Sequence, residues 1–494
     1  TLSDDQVDYQ STVWTYTSVV ATSTNWSDPF TEIRRANYII EGLQTSSLDD
    51  AVKANYEGLA RLNRAWEYYQ LVRMYGDVQW ITTVVDPADK DVVYGPRTDR
   101  DIVMDNVLED LNYAASTITG TNKQRFSADM ALAMKADITL YEGTYCKYRN
   151  ASDNAGKAAD NTRAEKYLRE CVAACEALMT KGYSLNPSYK GNYNSISLSS
   201  NPEMIFYKPY SQNVFMHSTI DYTVNTSGTS GMTKNAFDNY LFLDGKATTT
   251  MDTNDAAVKD ADGKYNLESV LAVRDKRLAA TLDPVLCFKG SAYSRAGVAG
   301  FTSTTGYGIA KYDNPEELAV SDRNSINKQY TDCPLFWLSV VYLNFAEAKA
   351  ELGTLTQADL DKSINKLQER AGLPGMTTQP EADPANNMGV SNLIWEIRRC
   401  RRCELMCDNW TRYWDLIRWH KLDLLDSSKN PTIYLGANMK NVENPEVDVN
   451  SDGYMIGSNT LNQPRTYEAK HYFYPIPTTQ LTLNSNMEQN PFWK

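Results

Sequence analysis

Aromatic side chains in segments that lack helical or strand periodicity are the residues of this chain whose type best suits ligand chemistry. The sequence contains 32 tyrosines and 10 tryptophans. Rings with a polar edge can stack on the apolar C–H faces of sugars while hydrogen-bonding the neighbouring hydroxyl groups. The candidates for such a site are Trp14, Trp26, Tyr210, Phe215, His217 and Tyr222. Half-buried packing is the alternative interpretation of each ring, and the sequence leaves it open.

A second candidate site is an Asx-rich segment near the end of the chain. Asp448, Asn450 and Asp452 precede Gly453, as in the first half of a calcium-binding loop, where a glycine makes the turn at the sixth position. The twelfth position is Asn459, where such a loop has a bidentate Glu. An Asx turn is therefore the favoured interpretation, and a bound calcium ion is the alternative. We expect no other cofactor and no catalytic residues.

The elements that position these side chains are clearest at 334–374, where the spacing predicts two amphipathic helices joined by a turn. The first helix has one apolar stripe, formed by Leu338, Val341, Tyr342 and Phe345. Thr356 and Asp359 predict a capping box at the start of the second helix, and Gly372 predicts its end. Neither helix can bury its stripe alone, and the pair has about the length of one 34-residue tetratricopeptide repeat.

Helix hairpins of similar size recur along the chain, separated by irregular sequence. We therefore expect a mostly α-helical fold in which tetratricopeptide-like hairpins form a scaffold and a loop-rich lobe carries a few short strands. The expected single domain spans 1–494, with the scaffold mainly at 29–182, 334–374 and 392–425 and the loop-rich lobe mainly at 183–332 and 426–470. Arginines interleaved with tryptophans and acidic residues within 392–425 indicate a structural ion-pair network.

The charge and hydropathy of the chain argue against nucleic acid as a partner and against a membrane-spanning helix. A net charge of −13 repels phosphate backbones, so nucleic acid is not an expected partner. The sequence has no run of about 18 apolar residues that would predict a membrane-spanning helix.

Over nearly its whole length the sequence resembles the SusD/RagB family of nutrient-binding outer-membrane lipoproteins. The motifs that carry the resemblance are RAWEYYQLVRMYGDV at 64–78, RT at 97–98 leading to DL at 110–111, RFS at 125–127, LF at 335–336 with ERAGLP at 369–374, DLIRW at 415–419, and YPIP at 474–477 with QNP at 489–491. Each motif alone is weak, but together and in this order they are specific. Gln79, Cys400 and Ser485 depart from the family pattern at scaffold positions.

The resemblance implies a protein of the outer cell surface that captures oligosaccharide for a SusC-like TonB-dependent transporter and catalyses no reaction. It also implies attachment to the outer membrane through an N-terminal lipid that is absent from this chain. The ligand contacts of the family lie in variable loops, so the resemblance transfers no binding residue to this sequence.

Two other functions stay open at the level of sequence. A glycoside hydrolase needs a pair of carboxylates roughly 5–10 Å apart, which 62 acidic residues could supply by chance. No zinc-protease, serine-hydrolase or phosphate-loop motif is present. A repeat scaffold that binds only protein would explain the hairpins, but roughly half of the chain is irregular, which is more than a plain scaffold needs.

Overall fold

The chain forms two compact units. The computed structural model describes residues 3–8, 18–220, 230–251, 254–408, 411–457 and 464–493. The segments of the helical unit are Trp14–Gly182, Ile417–Leu422 and Glu468–Lys494. Those of the loop-rich unit are Thr1–Val13, Tyr183–Leu416 and Asp423–Tyr467. The expectation of a single domain stays a prediction.

Long helices that are neighbours in sequence pack against each other in the helical unit, as the predicted hairpins require. These helices are Thr24–Gln44, Asp50–Tyr75, Arg100–Thr117, Ala128–Tyr148 and Asn161–Met179. Shorter helices are Lys90–Val93, Thr478–Leu483 and the 3₁₀ turn Ala469–Tyr472. The first long helix begins at Thr24, five residues before the Pro29 at which the sequence predicted the scaffold to start.

Small residues and buried ion pairs hold these helices close together. A Cβ atom added to Gly143 would lie 2.8 Å from Leu168 Cγ on the adjacent helix, so only glycine permits this approach. Arg64 donates to both carboxylate oxygens of Asp110 at 2.8 Å. A buried pair that loses one partner destabilises a protein strongly, so Arg64, in the motif at 64–78, has a structural role.

Short elements make up the loop-rich unit. Its helices are Gly191–Asn194, Lys234–Asp238, Glu268–Leu271, Lys276–Thr281, Val320–Arg323, Leu338–Glu351, Gln357–Asp361, Ile364–Ala371 and Asn392–Glu404. The helix Thr411–Arg418 and the 3₁₀ turn Leu422–Leu425 cross the segment boundaries between the units, and a 3₁₀ turn lies at Thr248–Thr250.

The strands of this unit pair antiparallel in twos. The pairs are Gln6–Asp8 with Ser230–Met232, Met204–Lys208 with Cys333–Trp337, Val258–Lys259 with Tyr265–Asn266, Tyr293–Arg295 with Val298–Phe301, and Leu435–Asn438 with Tyr454–Ile456. The apolar core draws on many short elements, and within it the rings of Phe237 and Tyr307 stack with centroids 4.8 Å apart.

The helix pair predicted at 334–374 is present, with one correction to its second helix. Thr356 and Asp359 form the predicted capping box, and Gly372 ends the pair in the left-handed conformation at φ +77°. The second helix is interrupted at Lys362 and Ser363, where ψ of Ser363 is −98°. The pair also belongs to the loop-rich unit, so the predicted scaffold of 29–182, 334–374 and 392–425 is divided between two units.

The arginines of 392–425 form the predicted buried ion pairs, such as Arg401 with Asp415 at 2.8 Å, and the network extends to arginines outside that segment at the end of the helix Asn392–Glu404. Arg277 contacts Glu404 at 3.0 Å, and Arg370 contacts both Glu203 and Glu404. Burial opposes ionisation of Glu404, but the charges of Arg370 and Arg277 hold its pKa below the ordinary value. The carboxylate is therefore ionised, fully buried and paired.

Candidate functional site

A tight hairpin directly after the strand that ends at Lys208 gathers three aromatic rings. Ser211 and Phe215 each donate a backbone N–H to the carbonyl oxygen of the other, at 2.9 and 3.0 Å. Asn213 between them has φ +63°, a left-handed conformation that Asn adopts more readily than most residues. The short turn therefore brings residues on both of its arms side by side.

The rings in this cluster are Tyr210, Phe215 and His217, three of the six predicted in the sequence. Tyr210 and Phe215 stack nearly parallel, with centroids 4.9 Å apart and an interplanar angle of 6°. His217 meets Tyr210 edge-on, at 4.7 Å and 77°. We call these three residues the aromatic cluster.

The aromatic cluster presents an apolar surface to the solvent. Phe215 is 48% exposed, and Val214 at the tip of the hairpin is 83% exposed. The ammonium group of Lys208 lies 4.6 Å from the centroid of Phe215. A flat apolar face beside a charged hydrogen-bond donor can bind a ligand that itself combines apolar faces with polar groups.

His217 orients the cluster and is held neutral. Its Nδ1 accepts a hydrogen bond from the backbone N–H of Thr219 at 3.2 Å, so Nε2 carries the proton and donates to the carbonyl oxygen of Thr331 at 3.0 Å. Burial lowers the pKa of the imidazole. With both nitrogens engaged, His217 acts as a positioning residue.

The carboxylates hydrogen-bonded to this hairpin serve the fold. Asp332 accepts backbone N–H groups from Leu198 at 2.9 Å and from Tyr210 at 2.8 Å, and burial raises its pKa. Asp322 accepts from the side chain of Gln212 at 3.0 Å. Asp332 therefore fixes the backbone from which the stacked ring of Tyr210 projects.

Lys208 and Asp332 belong to this site, although the sequence did not predict them. Lys208 is the exposed last residue of a strand whose other side chains are buried or half-buried, so the change from apolar residues to a charged one at the end of the run could have indicated it. Asp332 is 122 residues away from Tyr210, its hydrogen-bond partner, and no local pattern indicates that pairing.

The other predicted rings do not join the aromatic cluster in the part of the chain that is described. Trp26 lies in the helix Thr24–Gln44, is 4% exposed and packs edge-on against Tyr75 at 5.0 Å. A buried ring offers no face to a ligand, so the prediction for Trp26 is wrong. Trp14 and Tyr222 lie outside the described residues.

The Asx-rich segment forms a hairpin turn. The side-chain oxygen of Asn450 accepts the backbone N–H groups of Asp452 at 3.1 Å and of Tyr454 at 2.9 Å, and Gly453 has φ +89°. The backbone N–H of Ile456 donates to the carbonyl oxygen of Asp448 at 2.8 Å. This geometry is an Asx turn. Asn459 lies outside the described residues, and calcium at Asp448, Asn450 and Asp452 stays a prediction.

A polar cavity of about 130 Å³ lies beside the helix Asn392–Glu404. Arg399 in its wall pairs with Asp383 and Glu396, and Arg402 donates to Asp5 at 2.8 Å. These guanidinium groups already have carboxylate partners, so we assign them to the buried ion pairs of the fold.

Comparisons with known proteins agree with the fold. A model described as the SusD family matches residues 176–493, and one described as "Starch-binding associating with outer membrane" matches residues 2–140. The chain belongs to the SusD family. This confirms the resemblance on which the prediction of a mostly helical fold with small sheets was partly based.

Three relatives illustrate the likeness. A SusD-like protein of Bacteroides ovatus is 23% identical over 491 residues, covering 94% of this chain and 80% of that protein. The structure of a SusD-like carbohydrate-binding protein from Bacteroides fragilis has a TM-score of 0.72 at 19% identity and covers 99% of this chain and 91% of its own. A laminarin-binding SusD-like protein has a TM-score of 0.59 at 19% identity, covering 99% of this chain and 92% of its own.

No helix within the described residues combines the length and the apolar composition needed to cross a membrane.

Proposed function

We propose that this protein binds oligosaccharide at the outer cell surface, passes it to a SusC-like TonB-dependent transporter and catalyses no reaction itself. The observation that carries the proposal is the stacked pair of Tyr210 and Phe215, in which Phe215 is half exposed and lies next to the exposed Val214. Contiguous exposed apolar side chains mark binding sites, whereas single scattered ones do not.

The chemistry of the cluster suits a sugar. The axial C–H groups of a pyranose form an apolar face that can lie on Phe215, while hydroxyl oxygens accept hydrogen bonds from the ammonium group of Lys208, which lies 4.6 Å from the ring centroid. By analogy with bases that stack on aromatic side chains, each ring contributes about 1–3 kcal/mol. Because the hairpin fixes both rings before the ligand arrives, binding loses little conformational entropy at this site.

The relatives support the class of ligand and leave its identity open. One similar structure is described as carbohydrate-binding and another as laminarin-binding. At 19% identity these likenesses extend to the fold, and the spacing and tilt of loop rings that select a particular glycan differ between such proteins.

The family also supports the proposed location. The model that matches residues 2–140 is described as associating with the outer membrane. We infer that an N-terminal lipid holds the protein there, next to the transporter. Co-purification of the lipidated protein with a TonB-dependent transporter from outer membranes tests this part of the proposal, and a lipidated protein that purifies without any transporter would contradict it.

Isothermal titration of the purified chain against plant, host and microbial polysaccharides, with product analysis of the same mixtures, tests the binding function. We expect heat of binding for at least one glycan and no new reducing ends. New reducing ends would instead identify a glycoside hydrolase. Absence of binding to every polysaccharide in the panel would favour the alternative function, a scaffold that binds only protein.

A further inference from the structure

A second cavity, of about 110 Å³, opens in the loop-rich unit where Phe242 and Arg274 face each other as an antiparallel bridge. None of its lining residues belongs to the aromatic cluster. Its walls combine Arg274 and Asp255 with the apolar side chains of Phe242, Val258 and Val273. The two valines are 56% and 50% exposed, so the mouth of the cavity is apolar and its base is charged.

Arg274 at the base is only 2% exposed, and its guanidinium is incompletely paired. Both of its hydrogen bonds among the described residues are donated by Nη2, to the carbonyl oxygen of Phe237 at 3.3 Å and to Thr248 Oγ1 at 2.9 Å. Nε has no acceptor there but is shielded from the cavity, so Nη1, which donates no hydrogen bond among the described residues, is the group left for a ligand. The rings of Phe242 and Phe237 lie 4.2 and 5.2 Å from the guanidinium carbon. Cation–π contacts offset part of the cost of burial but accept no N–H group.

The neighbouring Arg277, in contrast, has carboxylate partners for its guanidinium group. It contacts Asp275 at 2.7 Å and Glu404 at 3.0 Å. Within the described ranges, no carboxylate oxygen lies within 4.0 Å of the Arg274 guanidinium. Buried charges are normally paired and fully hydrogen-bonded, so the incomplete shell of Arg274 requires an explanation.

Carboxylates stand near Arg274 without contacting it. Asp255 lines the same cavity and accepts hydrogen bonds from Asn438 at 2.6 Å and from the hydroxyl of Tyr454 at 3.3 Å. Asp238 is paired with Lys234. Burial lowers the pKa of Arg274, and the charges of Asp238 and Asp255 oppose that lowering. Among the described residues, Arg274 therefore lacks hydrogen-bond acceptors more than it lacks neighbouring negative charge.

A ligand that completes this cavity must supply acceptors to Arg274 without bringing an anion close to Asp255. Hydroxyl groups meet both requirements, because a hydroxyl group is uncharged and can accept a hydrogen bond from a guanidinium while donating one to a carboxylate. We propose that the cavity formed by Arg274, Asp255 and Phe242 is a second sugar-binding subsite, which takes one hydroxyl-bearing edge of an uncharged sugar. This inference rests on the proposed function only for the class of ligand.

The size of the cavity fits this assignment. A volume of about 110 Å³ is smaller than the roughly 150 Å³ of an apolar cavity that encloses benzene. It can therefore hold a diol edge but not a whole hexose, and the rest of the sugar ring would lie on the exposed valines at the mouth. Ordered water is the alternative content of such a polar cavity.

Saturation-transfer NMR titration with uncharged methyl glycosides of glucose, galactose, mannose and xylose, and with glucuronate and acetate as charged probes, tests the proposal. We expect one of the uncharged glycosides to bind with saturation. Arg274→Met should weaken its binding at least tenfold, which corresponds to about 1.4 kcal/mol. Because Arg274 also packs between two rings, a second variant is needed that leaves its contacts intact.

Val273→Trp is that variant, since it fills the mouth of the cavity from a half-exposed position and removes no hydrogen bond of Arg274. We expect the same loss of glycoside binding with an unchanged melting temperature. Phe215→Ala separates the two sites, because glycoside binding in the cavity should persist in that variant.

Four results would overturn the proposal. Glycoside binding that survives Val273→Trp would place the sugar elsewhere, and absence of saturable binding would leave the cavity to water. Stronger binding of glucuronate or acetate that depends on Arg274 would make it an anion site. Polysaccharide binding that is lost in Phe215→Ala but kept in Val273→Trp would refute this subsite while leaving the proposed function intact.

Discussion

The aromatic cluster and the ion-pair network lie in the same loop-rich unit and both combine charged with aromatic side chains, yet they differ in what completes their interactions. In the network, Glu404 is 0% exposed and contacts both Arg277 and Arg370. In the cluster, Phe215 leaves 48% of its surface to the solvent. Carboxylates of the protein itself pair both guanidinium groups of the network, whereas the surface of Phe215 stays open to a ligand.

This difference separates side chains that stabilise the fold from side chains that are available to a ligand. Removing one partner of a buried pair leaves the other charge in an apolar environment without compensation. Truncating a half-exposed ring removes a binding surface and little buried area. Stability and affinity should therefore respond to opposite sets of substitutions.

The largest effect is expected for Glu404→Gln. The substitution leaves Arg277 and Arg370 without their shared carboxylate, although Asp275 and Glu203 still contact them. We expect the free energy of unfolding to fall by about 3–5 kcal/mol, as measured for other broken buried pairs. Chemical denaturation followed by circular dichroism checks this value.

The matched control for Glu404→Gln is Glu165→Gln, which breaks the exposed pair with Arg169, whose side chains are 54% and 63% exposed. An exposed pair contributes at most about 1 kcal/mol. If both substitutions cost the same, burial would not distinguish the network from surface pairs, and the comparison with the cluster would lose its basis.

A smaller effect, on affinity and not on stability, is expected for Phe215→Ala. The loss of one stacking ring should weaken oligosaccharide binding by about 1–3 kcal/mol and change the free energy of unfolding by about 1 kcal/mol or less. Titration calorimetry with the glycan identified in the polysaccharide panel measures the first quantity, and denaturation measures the second.

Trp26→Ala is the matched control for that ring. Truncation of a buried Trp costs about 3–5 kcal/mol of stability, and Trp26 packs against Phe30 and Tyr75 within the helical unit. Its affinity for the same glycan should equal that of the unsubstituted chain. Lower affinity in Trp26→Ala than in Phe215→Ala would contradict the assignment of the binding site.

The same two rings show where sequence-based prediction stops. Trp26 and Phe215 were both predicted as ligand contacts because neither falls in a clear periodic pattern. Because proline commonly occupies the first turn of a helix, the sequence predicted that the helix starts at Pro29. The helix begins at Thr24 instead and buries Trp26. Exposure of a ring depends on contacts that are distant in sequence, which local spacing does not encode.

Local signals were predicted well because their physical causes are local. The capping box of Thr356 and Asp359 and the left-handed Gly372 depend on a few neighbouring residues, and both are present. The break at Ser363 within that segment was not predicted. Tyr210 and Phe215 were each named as candidates from the sequence, but neither their stacking nor Asp332, which fixes the backbone of Tyr210, could be predicted.

A still smaller effect is expected for Glu67→Gln. The carboxyl group of Glu67 is half-buried, so its exposure lies between that of the buried Glu404 and that of the exposed Phe215. Burial, aided by the negative charges of Glu32 and Asp28, raises the pKa of Glu67 from 4.5 to about 7. The folded state retains a proton that the unfolded state has released, so the stability that this group contributes is present below pH 4.5 and is lost as the pH rises through about 7.

Glu67→Gln should therefore match the unsubstituted chain below pH 4.5 and exceed its stability above pH 7. Discounted for solvent screening at a group that is more than a third exposed, the gain is about 1 kcal/mol. Melting temperatures measured from pH 4 to pH 8 check the prediction, with the exposed Glu109→Gln as control. A gain that is the same at every pH would show that the carboxyl group does not titrate in this window.

The smallest effect is expected at the Asx turn, where the protein again completes its own contacts. Asn450 uses its side-chain oxygen to accept two backbone N–H groups, so the turn can form without an ion. We expect that EDTA leaves the melting temperature unchanged. A calcium ion bound at 100 times its dissociation constant would stabilise the fold by about 2.7 kcal/mol, which is large enough to detect. If EDTA lowers the melting temperature and added calcium restores it, the turn resembles the aromatic cluster in leaving an interaction for a ligand to complete, although no aromatic ring marks it.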